Sequence, residues 1–560
     1  MSSRVAVALG VVFAGPACAG APRLVVIEPY GAYADTTHVP APRARQFSEI
    51  ADMIERTVLE PVERFLSLGR RVRRASRSGR EARNVNAWDD VENSAWFEHR
   101  NDVASLTIEE LRDGPVPDAR PVAAGPLTIV GPKPSGVTPG FRVRDASGRQ
   151  YVLKFDPVEA PELASAAEAI ATRVVHAAGY HTAQTSVFTF DPARLVIAEG
   201  ARMRDRSGVL RPMTAADVEA VLQRAHRLSD GRIRSLASRW IVGGIGSFDW
   251  EGRRQDDPND EIRHQHRREL RGFYVVSAWL NHVDARRGNT LDQFVGDTAG
   301  GYVRHIMLDV SSTLGSASNR PQTPREGAET TVSYPHMALR ALTAGVYRAP
   351  WERLDTARAG PSVGYYSVAN FDPGGWAPLR PNPAFEERTA RDGYWGAKLV
   401  ASFSDDQLRA VVAAGEYSDP RAADAILQAL RDRRDASLRY WFGRVTPIEQ
   451  PVVRCEGEDL MVSFQDYAVR YGVAEAAATR YEVALVHQEA GLRRQAEDVT
   501  VPIRVTGGKP PRAFAPTTDA ARIGRLMVRA VRGGRPAPPA TVYLLYQPER
   551  ECYRAAGLAH

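Results

Sequence analysis

His282-Val283-Asp284-Ala285-Arg286-Arg287-Gly288-Asn289 is the stretch that decides the fold. It places an aspartate and an asparagine in a D-x-x-x-x-N arrangement, and a second acidic segment, Leu308-Asp309-Val310-Ser311, follows about twenty residues later. Phosphoryl transfer needs one carboxylate to orient or deprotonate the acceptor hydroxyl, and an asparagine and a second carboxylate to hold Mg²⁺ against the phosphates. The pattern therefore predicts a catalytic role for Asp284 and metal binding by Asn289 and Asp309.

The residues around this loop favour the same interpretation. Residues 271–280 form an apolar stretch at helical spacing, which indicates a buried helix that fixes where the loop begins. Residues 290–295 and 302–308 read as two strands separated by a polar, glycine-rich turn. A hairpin of this kind places Asn289 and Asp309 at the same end of one β-ribbon.

A lysine upstream is a candidate for binding phosphate. Residues 151–156 read as a strand that carries Lys154, and the following helix, predicted over 161–178, ends at Gly179. Glu168 in the middle of that helix is the preferred partner of Lys154, and Glu162 is the second choice. Lysine is rare in this arginine-rich chain, so its use at this strand indicates a requirement for a compact ammonium group. The lysines of the chain are Lys133, Lys154, Lys398 and Lys509.

A loop rich in glycine and proline precedes the Lys154 strand. Residues 131–141 lack the G-x-G-x-x-G pattern, but they supply small residues between two predicted strands. Gly136, Thr138 and Gly140 are the candidates for contacting the phosphates of a nucleotide.

The combination of these segments resembles the protein-kinase-like superfamily, in particular its atypical branches. The spacing of His282, Asp284 and Asn289 resembles a kinase catalytic loop, and residues 309–315 are similar to the metal-binding segment of phosphatidylinositol kinases. HipA-type toxin kinases and CotH-type coat kinases share a comparable minimal set. The resemblance implies a two-lobed kinase-like fold over residues 126–446.

The same resemblance implies the cofactors and the site. ATP and Mg²⁺ are the expected cofactors, with Lys154, oriented by Glu168, on the phosphates. Asp284 would position the acceptor hydroxyl, and the resemblance also places His282 and Arg286 in the catalytic loop. Arg286 would neutralise the transferring phosphoryl group.

We therefore expect an α+β fold made of a two-lobed kinase-like domain, an N-terminal extension and a C-terminal all-β domain. The extension covers residues 20–125 and is expected to wrap the small lobe. The small lobe is predicted over about 126–244 and the large lobe over about 245–446. In residues 447–560, four runs read as strands between turns, over residues 460–464, 481–486, 525–531 and 541–546, which predicts a β-sandwich.

The first nineteen residues have the pattern of a secretory signal peptide. Arg4 precedes an apolar run over residues 5–13, and Ala17-Cys18-Ala19 provides a cleavage site after Ala19. A lipoprotein anchored at Cys18 is the weaker alternative, and an ordinary buried N-terminal helix is a third. No other segment has the ~20 apolar residues needed to span a bilayer. Residues 256–270 are also similar to a family of exported bacterial proteins.

Cysteine usage is compatible with export. Removal of the first nineteen residues leaves Cys455 and Cys552, which can form one disulfide in an oxidising compartment or remain as two buried thiols. The formal charge of +6 is small for 560 residues, so the composition does not indicate a nucleic-acid partner.

Two hypotheses about function follow. In the first, the protein is an exported phosphotransferase that uses Mg-ATP on a protein, lipid or small-molecule acceptor. In the second, it is an inactive pseudokinase that serves as a scaffold or binding protein of the cell envelope. The strongest argument for the second is the compartment, because the bacterial periplasm is not expected to hold much ATP. Val283, the Val310-Ser311 pair and the absent glycine triplet also depart from the kinase pattern. The presence of Lys154 with the three polar groups of the loop favours the first. The oligomeric state is left open.

Overall fold

A computed structural model describes residues 35–46, 80–115, 122–134, 136–205, 207–356, 360–457, 459–485, 488–495, 500–505 and 523–560, with residues 52, 54, 55 and 59. The predicted signal peptide, residues 1–19, lies outside the described residues. Among those that are described, no helix combines the length and apolarity needed to cross a bilayer.

The small lobe is an antiparallel sheet with one long helix against it. Its sheet has the strand order β5-β9-β3-β2-β1-β6, with β1 and β6 pairing in parallel at the edge. Helix α2 packs on β5 and β9 and is buried along almost its whole length, because its alanines allow close approach on all sides. The elements are α1 Ile108–Asp113, β1 Leu127–Pro132, β2 Gly140–Arg144, β3 Gln150–Phe155, α2 Leu163–Ala177, β4 His181–Thr182, β5 Thr185–Phe190, β6 Leu195–Ile197, β7 Arg202–Arg204, β8 Leu210–Pro212, α3 Ala215–Leu222 and β9 Ile233–Arg239.

The large lobe is mainly helical and contains the predicted hairpin. Its central helix begins at Arg268 and ends at Leu280. The next residue, Asn281, adopts the left-handed conformation (φ 53°) and turns the chain into the loop that follows. The hairpin pairs Thr290 with Met307, so its two open ends lie side by side. The elements are α4 Arg268–Leu280, β10 Thr290–Asp297, β11 Gly300–Met307, α5 Tyr334–Leu342, α6 Pro383–Glu386, α7 Ala390–Ala401, α8 Asp405–Ala413 and α9 Pro420–Phe442.

The C-terminal domain consists of two β-sheets with one core between them. One sheet has the order β12-β13-β16, and the other has β15-β14-β17-β19-β20, with β18 paired to β17. Phe464 from the first sheet packs against Tyr481 from the second (ring centroids 5.1 Å apart). The elements are β12 Ile448–Glu456, β13 Asp459–Asp466, α10 Tyr467–Arg470, β14 Thr479–Leu485, β15 Gln488–Gln495, β16 Thr500–Val505, β17 Ile523–Arg532, β18 Arg535–Pro536, β19 Ala540–Gln547 and β20 Cys552–Ala559.

A disulfide joins the two sheets. Cys455 in β12 is bonded to Cys552 in β20, with Cα atoms 5.8 Å apart and a sequence separation of 97 residues. Of the two alternatives that the sequence allowed, the structure therefore has the disulfide and not two thiols.

The described part of the extension docks on the large lobe as well as on the small lobe, which it was expected to wrap. Arg100 donates to the carbonyls of His176 in α2 (2.7 Å) and Tyr180 (3.2 Å), and Val122 lies in the small-lobe core. The buried Asp89 carboxylate accepts a hydrogen bond from Arg268 of α4 (2.7 Å), and the Trp96 ring stacks on His305 of β11 at 3.4 Å. The amide of Leu558 in β20 donates to the carbonyl of Ala87 (2.8 Å). Buried acidic and aromatic groups of the extension are matched by arginine and histidine on the large lobe, which explains the site of docking.

Candidate active site

Lys154 lies between two carboxylates that come from different lobes. In β3 the residues alternate, so Leu153 and Phe155 enter the small-lobe core while Lys154 points to the other face. Its Nζ donates to Glu168 Oε1 (2.7 Å) and Oε2 (2.9 Å) and to Asp309 Oδ2 (3.0 Å). The structure thus joins a strand, a helix and the hairpin end through one ammonium group.

Of the two glutamates considered as partners of Lys154, the structure selects Glu168. Glu168 is in the second turn of α2 and its side chain is 1% exposed. Glu162 precedes the helix and instead accepts a hydrogen bond from the amide of Ser418 (3.1 Å). Helix α2 ends as predicted, with Gly179 at φ +105° just beyond it.

Burial and ion pairing determine the charges of Lys154, Glu168 and Asp309. Burial raises the pKa of Glu168 to about 7, and Lys154 offsets part of that effect. For Asp309, burial also disfavours the charged form, but the Lys154 ammonium and hydrogen bonds from Ser311 outweigh it and hold the pKa of Asp309 below its usual range. The two carboxylates likewise outweigh the burial of Lys154 and raise the pKa of its ammonium group. At neutral pH, Lys154 and Asp309 are both charged.

The predicted catalytic loop is held in place by hydrogen bonds that Asn289 and Arg286 donate to Asp284. Asn289 Nδ2 donates to the Asp284 carbonyl (2.8 Å) and to Oδ2 (2.9 Å), and Arg286 Nε lies 3.0 and 3.1 Å from the two carboxylate oxygens. The amide of Asp309 donates to the carbonyl of Asn289 (3.3 Å). The base of the hairpin therefore brings together Asp284, Asn289 and Asp309.

The oxygen donors at the hairpin end fit Mg²⁺. The side-chain nitrogen of Asn289 is used by Asp284, so the amide oxygen is the atom of Asn289 suited to a cation. Carboxylate and amide oxygens are ligands that Mg²⁺ accepts, usually with water and phosphate completing its shell. No group of three or more His, Cys, Asp and Glu side chains that could hold a metal occurs among the described residues. Asp309 and Asn289 would therefore hold the ion together with the phosphates of a nucleotide.

The side chains of His282 and Arg286, which the resemblance placed in the catalytic loop, have little exposure to solvent. His282 is 3% exposed, and burial lowers the pKa of its imidazole. Its amide donates to the carbonyl of Ser277 (2.7 Å), which anchors the loop to α4. The catalytic role of His282 stays a prediction. Arg286 pairs with Asp284 and its side chain is 14% exposed.

The predicted phosphate-binding loop is divided between a turn and a strand. Gly136 (φ +81°) and the buried Thr138 lie in the connection between β1 and β2. Gly140 is the first residue of β2 and pairs with Lys154. A Cβ at Gly140 would collide with the carbonyl oxygen of Leu153, so the close approach of two strands explains this glycine.

Ser311 is a site residue that the sequence reasoning missed. Its amide (3.0 Å) and hydroxyl (2.6 Å) both donate to Asp309 Oδ1, which fixes the orientation of that carboxylate. An aspartate side chain often accepts a hydrogen bond from the backbone two residues later, in an Asx turn. The Asp-x-Ser spacing was therefore the signal in the sequence that could have identified Ser311.

Comparison with known proteins finds only remote likenesses. No protein-family model matches the chain, and no curated protein matches it in sequence. Among solved structures, the Helicobacter pylori proinflammatory kinase CtkA is 10% identical with a TM-score of 0.27, over 55% of this chain and 93% of that chain. The Golgi casein kinase with Mn/ADP bound is 9% identical (TM-score 0.29, 56% of this chain and 73% of that chain). Another structure of the Golgi casein kinase is 8% identical (TM-score 0.30, 73% and 95%). The strand order, the Lys154–Glu168 pair and the hairpin of this chain give it a two-lobed kinase-like fold joined to a β-domain.

Proposed function

We propose that the protein is an exported kinase-like phosphotransferase that uses Mg-ATP. Lys154, held by Glu168, would bind the phosphates, and Asn289 with Asp309 would hold Mg²⁺. Asp284 would orient the acceptor hydroxyl and accept its proton. These roles match the chemistry of the groups, since phosphoryl transfer depends mainly on positioning and on neutralising the charge of the phosphates.

The observation that carries this proposal is the contact of Lys154 with both Glu168 and Asp309, at 2.7 and 3.0 Å. A buried lysine between two carboxylates is costly to desolvate, and a purely structural role could be served by apolar residues. Because Lys154 and Asp309 come from different lobes and are 155 residues apart in sequence, the pair is supported as a functional arrangement.

Export is part of the proposal and rests on two features. The first nineteen residues have the signal-peptide pattern, and the Cys455–Cys552 disulfide is a bond that persists in oxidising compartments. N-terminal sequencing of the protein recovered from outside the cytoplasm would test it, with a new terminus at residue 20 as the expected result.

A pseudokinase is the second candidate, and the ion pairs of the site favour it. Arg286 forms an ion pair with Asp284, and Lys154 forms one with Asp309. If nucleotide cannot displace these contacts, the domain would act as a scaffold of the cell envelope. The two candidates differ in whether Mg-ATP binds and turns over.

The test is calorimetric titration of the protein with ATP, with and without Mg²⁺. Lys154→Ala and Asp309→Ala are the test variants, and Asp406→Ala, which changes an exposed carboxylate on α8, is the matched control. Binding that requires Mg²⁺, is weakened at least tenfold in both test variants and is unchanged in the control is expected. Absence of binding by the folded protein would contradict the phosphotransferase proposal and leave the scaffold.

A further inference from the structure

Helix α5 of the large lobe is amphipathic, and its apolar side faces solvent. At 100° per residue, Tyr334, Ala338 and Leu342 share one side of this helix, while His336 and Arg340 lie on the opposite side. The structure describes every residue of α5, and none of them is buried. A helix at the surface of a globular domain normally packs its apolar side on the core and exposes its polar side, so α5 has the reverse orientation.

The polar side of α5 attaches the helix to the rest of the large lobe. His336 Nδ1 is hydrogen-bonded to the buried Glu329, which also accepts from Arg325 Nε (2.8 Å). Arg340 forms an ion pair with Glu352, in the segment that follows the helix. These contacts fix the rotation of α5 about its own axis, so its apolar side is held toward solvent.

The apolar side of α5 continues into the turn after the helix. Leu342 and Val346 are the most exposed large apolar side chains in the described part of the chain, at 84% and 82%. Single exposed apolar side chains are common on soluble proteins, but a group of them on one element marks a binding surface. We call this group the docking surface, and its members are Tyr334, Met337, Ala338, Leu339, Ala341, Leu342 and Val346.

The charged groups beside the docking surface are mainly basic. Residues 330–351 contain Arg340 and Arg348 and no aspartate or glutamate. Glu352, Arg353 and Asp355 come next, so residues 330–356 hold three arginines and two carboxylates. Because Glu352 is paired with Arg340, the exposed Arg348 and Arg353 are left opposite one carboxylate. This border suits a partner that is apolar and carries negative charge.

The size of the docking surface favours a lipid bilayer over a second folded protein. A nine-residue helix is about 14 Å long. A standard interface between proteins uses about 20–30 residues on each partner, several times the number in the docking surface. A short helix is sufficient for a bilayer, because its apolar side chains enter the boundary between headgroups and acyl chains while neighbouring arginines stay among the headgroups.

We propose that the docking surface binds a lipid bilayer whose headgroups are anionic. Leu342 and Val346 enter the bilayer, and Arg348 and Arg353 pair with headgroup phosphates, for which guanidinium groups are suited. The inference goes beyond the proposed phosphotransferase function and does not rest on it. Mg-ATP binding therefore takes no part in its test.

The first experiment measures sedimentation of the purified protein with vesicles of equal parts phosphatidylglycerol and phosphatidylcholine. The test variant is Leu342→Gln with Val346→Gln. The control is Val103→Gln with Val209→Gln, which removes two exposed valines elsewhere (68% and 60% exposed). We expect the test variant to lose at least tenfold in partition into vesicles, since two aliphatic side chains leave the bilayer, and the control to lose none. Equal partition of the two variants, or no binding by the unaltered protein, would overturn the inference.

The second experiment tests the charge of the headgroups by comparing these vesicles with vesicles of phosphatidylcholine alone. Arg348→Gln with Arg353→Gln is the test variant. Arg409→Gln with Arg421→Gln is the control, because it removes two exposed arginines elsewhere and changes the net charge equally. The unaltered protein and the control should prefer the anionic vesicles by about tenfold, and the test variant should lose most of this preference. A preference that the test variant retains in full would contradict the role of the two arginines.

The third experiment distinguishes a bilayer from a second copy of the chain. Sedimentation velocity without lipid should give the same oligomeric state for the unaltered protein and for Leu342→Gln with Val346→Gln. A dimer that this variant converts to a monomer would assign α5 to an interface between two copies and overturn the bilayer proposal. Equal sedimentation together with no vesicle binding would also overturn it, and would leave the docking surface to another protein.

Discussion

At the scale of single residues, the site depends on one ammonium group that two carboxylates share. Lys154 is 13% exposed and Glu168 only 1%, so their interaction is little screened by water. Asp309 is held by Ser311 on one oxygen and by Lys154 on the other. Nucleotide phosphates would have to compete with Asp309 for Lys154, while Glu168 keeps the lysine in place.

The raised pKa of Glu168 predicts that nucleotide affinity depends on pH. Glu168 loses its charge as the pH falls through about 7, and a neutral Glu168 no longer holds Lys154 toward the phosphates. Mg-ATP affinity should fall about tenfold between pH 8 and pH 6, measured by calorimetry. Glu168→Gln should show the low affinity at both pH values, and this variant corrects for protonation of ATP itself. An unchanged pH dependence in Glu168→Gln would contradict the assignment.

At the scale of elements, two helices of the large lobe are in contact through their backbones. A Cβ at Gly396 of α7 would lie 2.5 Å from the carbonyl oxygen of Gly272 in α4, and a Cβ at Gly272 would enter the ring of Trp395. The predicted catalytic loop begins where α4 ends. The distance between α4 and α7 therefore affects the position of Asp284 relative to the small lobe.

Gly396→Ala should therefore push α4 and α7 apart. We expect a loss of about 2 kcal/mol in the free energy of unfolding, since overpacking at a rigid contact cannot be relieved by a side-chain rotation. Gly131→Ala is the control, because a Cβ at Gly131 meets no atom within 4 Å. Urea unfolding followed by tryptophan fluorescence measures the difference. Equal midpoints for the two variants would show that the helices have room to move.

The segment that anchors the extension contains a histidine with a raised pKa. Burial disfavours the imidazolium of His99, but the Asp102 carboxylate 2.5 Å from Nδ1 outweighs burial and raises the pKa of His99 to about 9. The stabilisation by this pair is complete below the ordinary histidine pKa of about 6.5 and is lost as the pH rises through 9. His99→Gln should cost about 2 kcal/mol at pH 6 and much less at pH 10, by urea unfolding. A cost that did not change with pH would indicate a role in packing alone.

At the scale of the whole molecule, the extension, large lobe and C-terminal domain meet at one buried lysine. Lys398 of α7 lies 3.4 Å from Asp90 in the extension and 3.0 Å from Glu449 in β12. His560 adds a second contact, with Nδ1 3.0 Å from Asp89. These contacts fix the β-domain to the large lobe, on the α7 side.

Removal of the Cys455–Cys552 disulfide should destabilise the C-terminal domain without affecting nucleotide binding. A loop of this length contributes about 4.7 kcal/mol on the chain-entropy account. The variant with Cys455→Ser and Cys552→Ser should unfold at lower urea concentration by far-ultraviolet circular dichroism. Its Mg-ATP affinity should match that of the unaltered protein. Reduced Mg-ATP affinity would show that the β-domain and the site are coupled.

Much of the fold was predictable because it depends on local patterns. Apolar spacing located α4 and the strands of the hairpin, and residues 151–156 were predicted as the strand that carries Lys154. The strands β13, β14, β17 and β19 of the C-terminal domain also lie where their apolar runs predicted. β12, β15, β16, β18 and β20 were not predicted from the sequence.

The sequence by itself determined which groups are present and on which elements they lie: a lysine on a strand, a glutamate on the next helix, and polar residues at both ends of a hairpin. Only the tertiary structure decided that Glu168 and not Glu162 meets Lys154, that His282 is buried, and that Gly140 serves strand packing. It also decided that the extension contacts the large lobe in addition to the small lobe. The physical reason is that residue type and spacing act over a few residues, whereas pairing and burial depend on contacts between separate elements. Those contacts join residues that are 14 positions apart for Lys154 and Glu168 and 155 apart for Lys154 and Asp309.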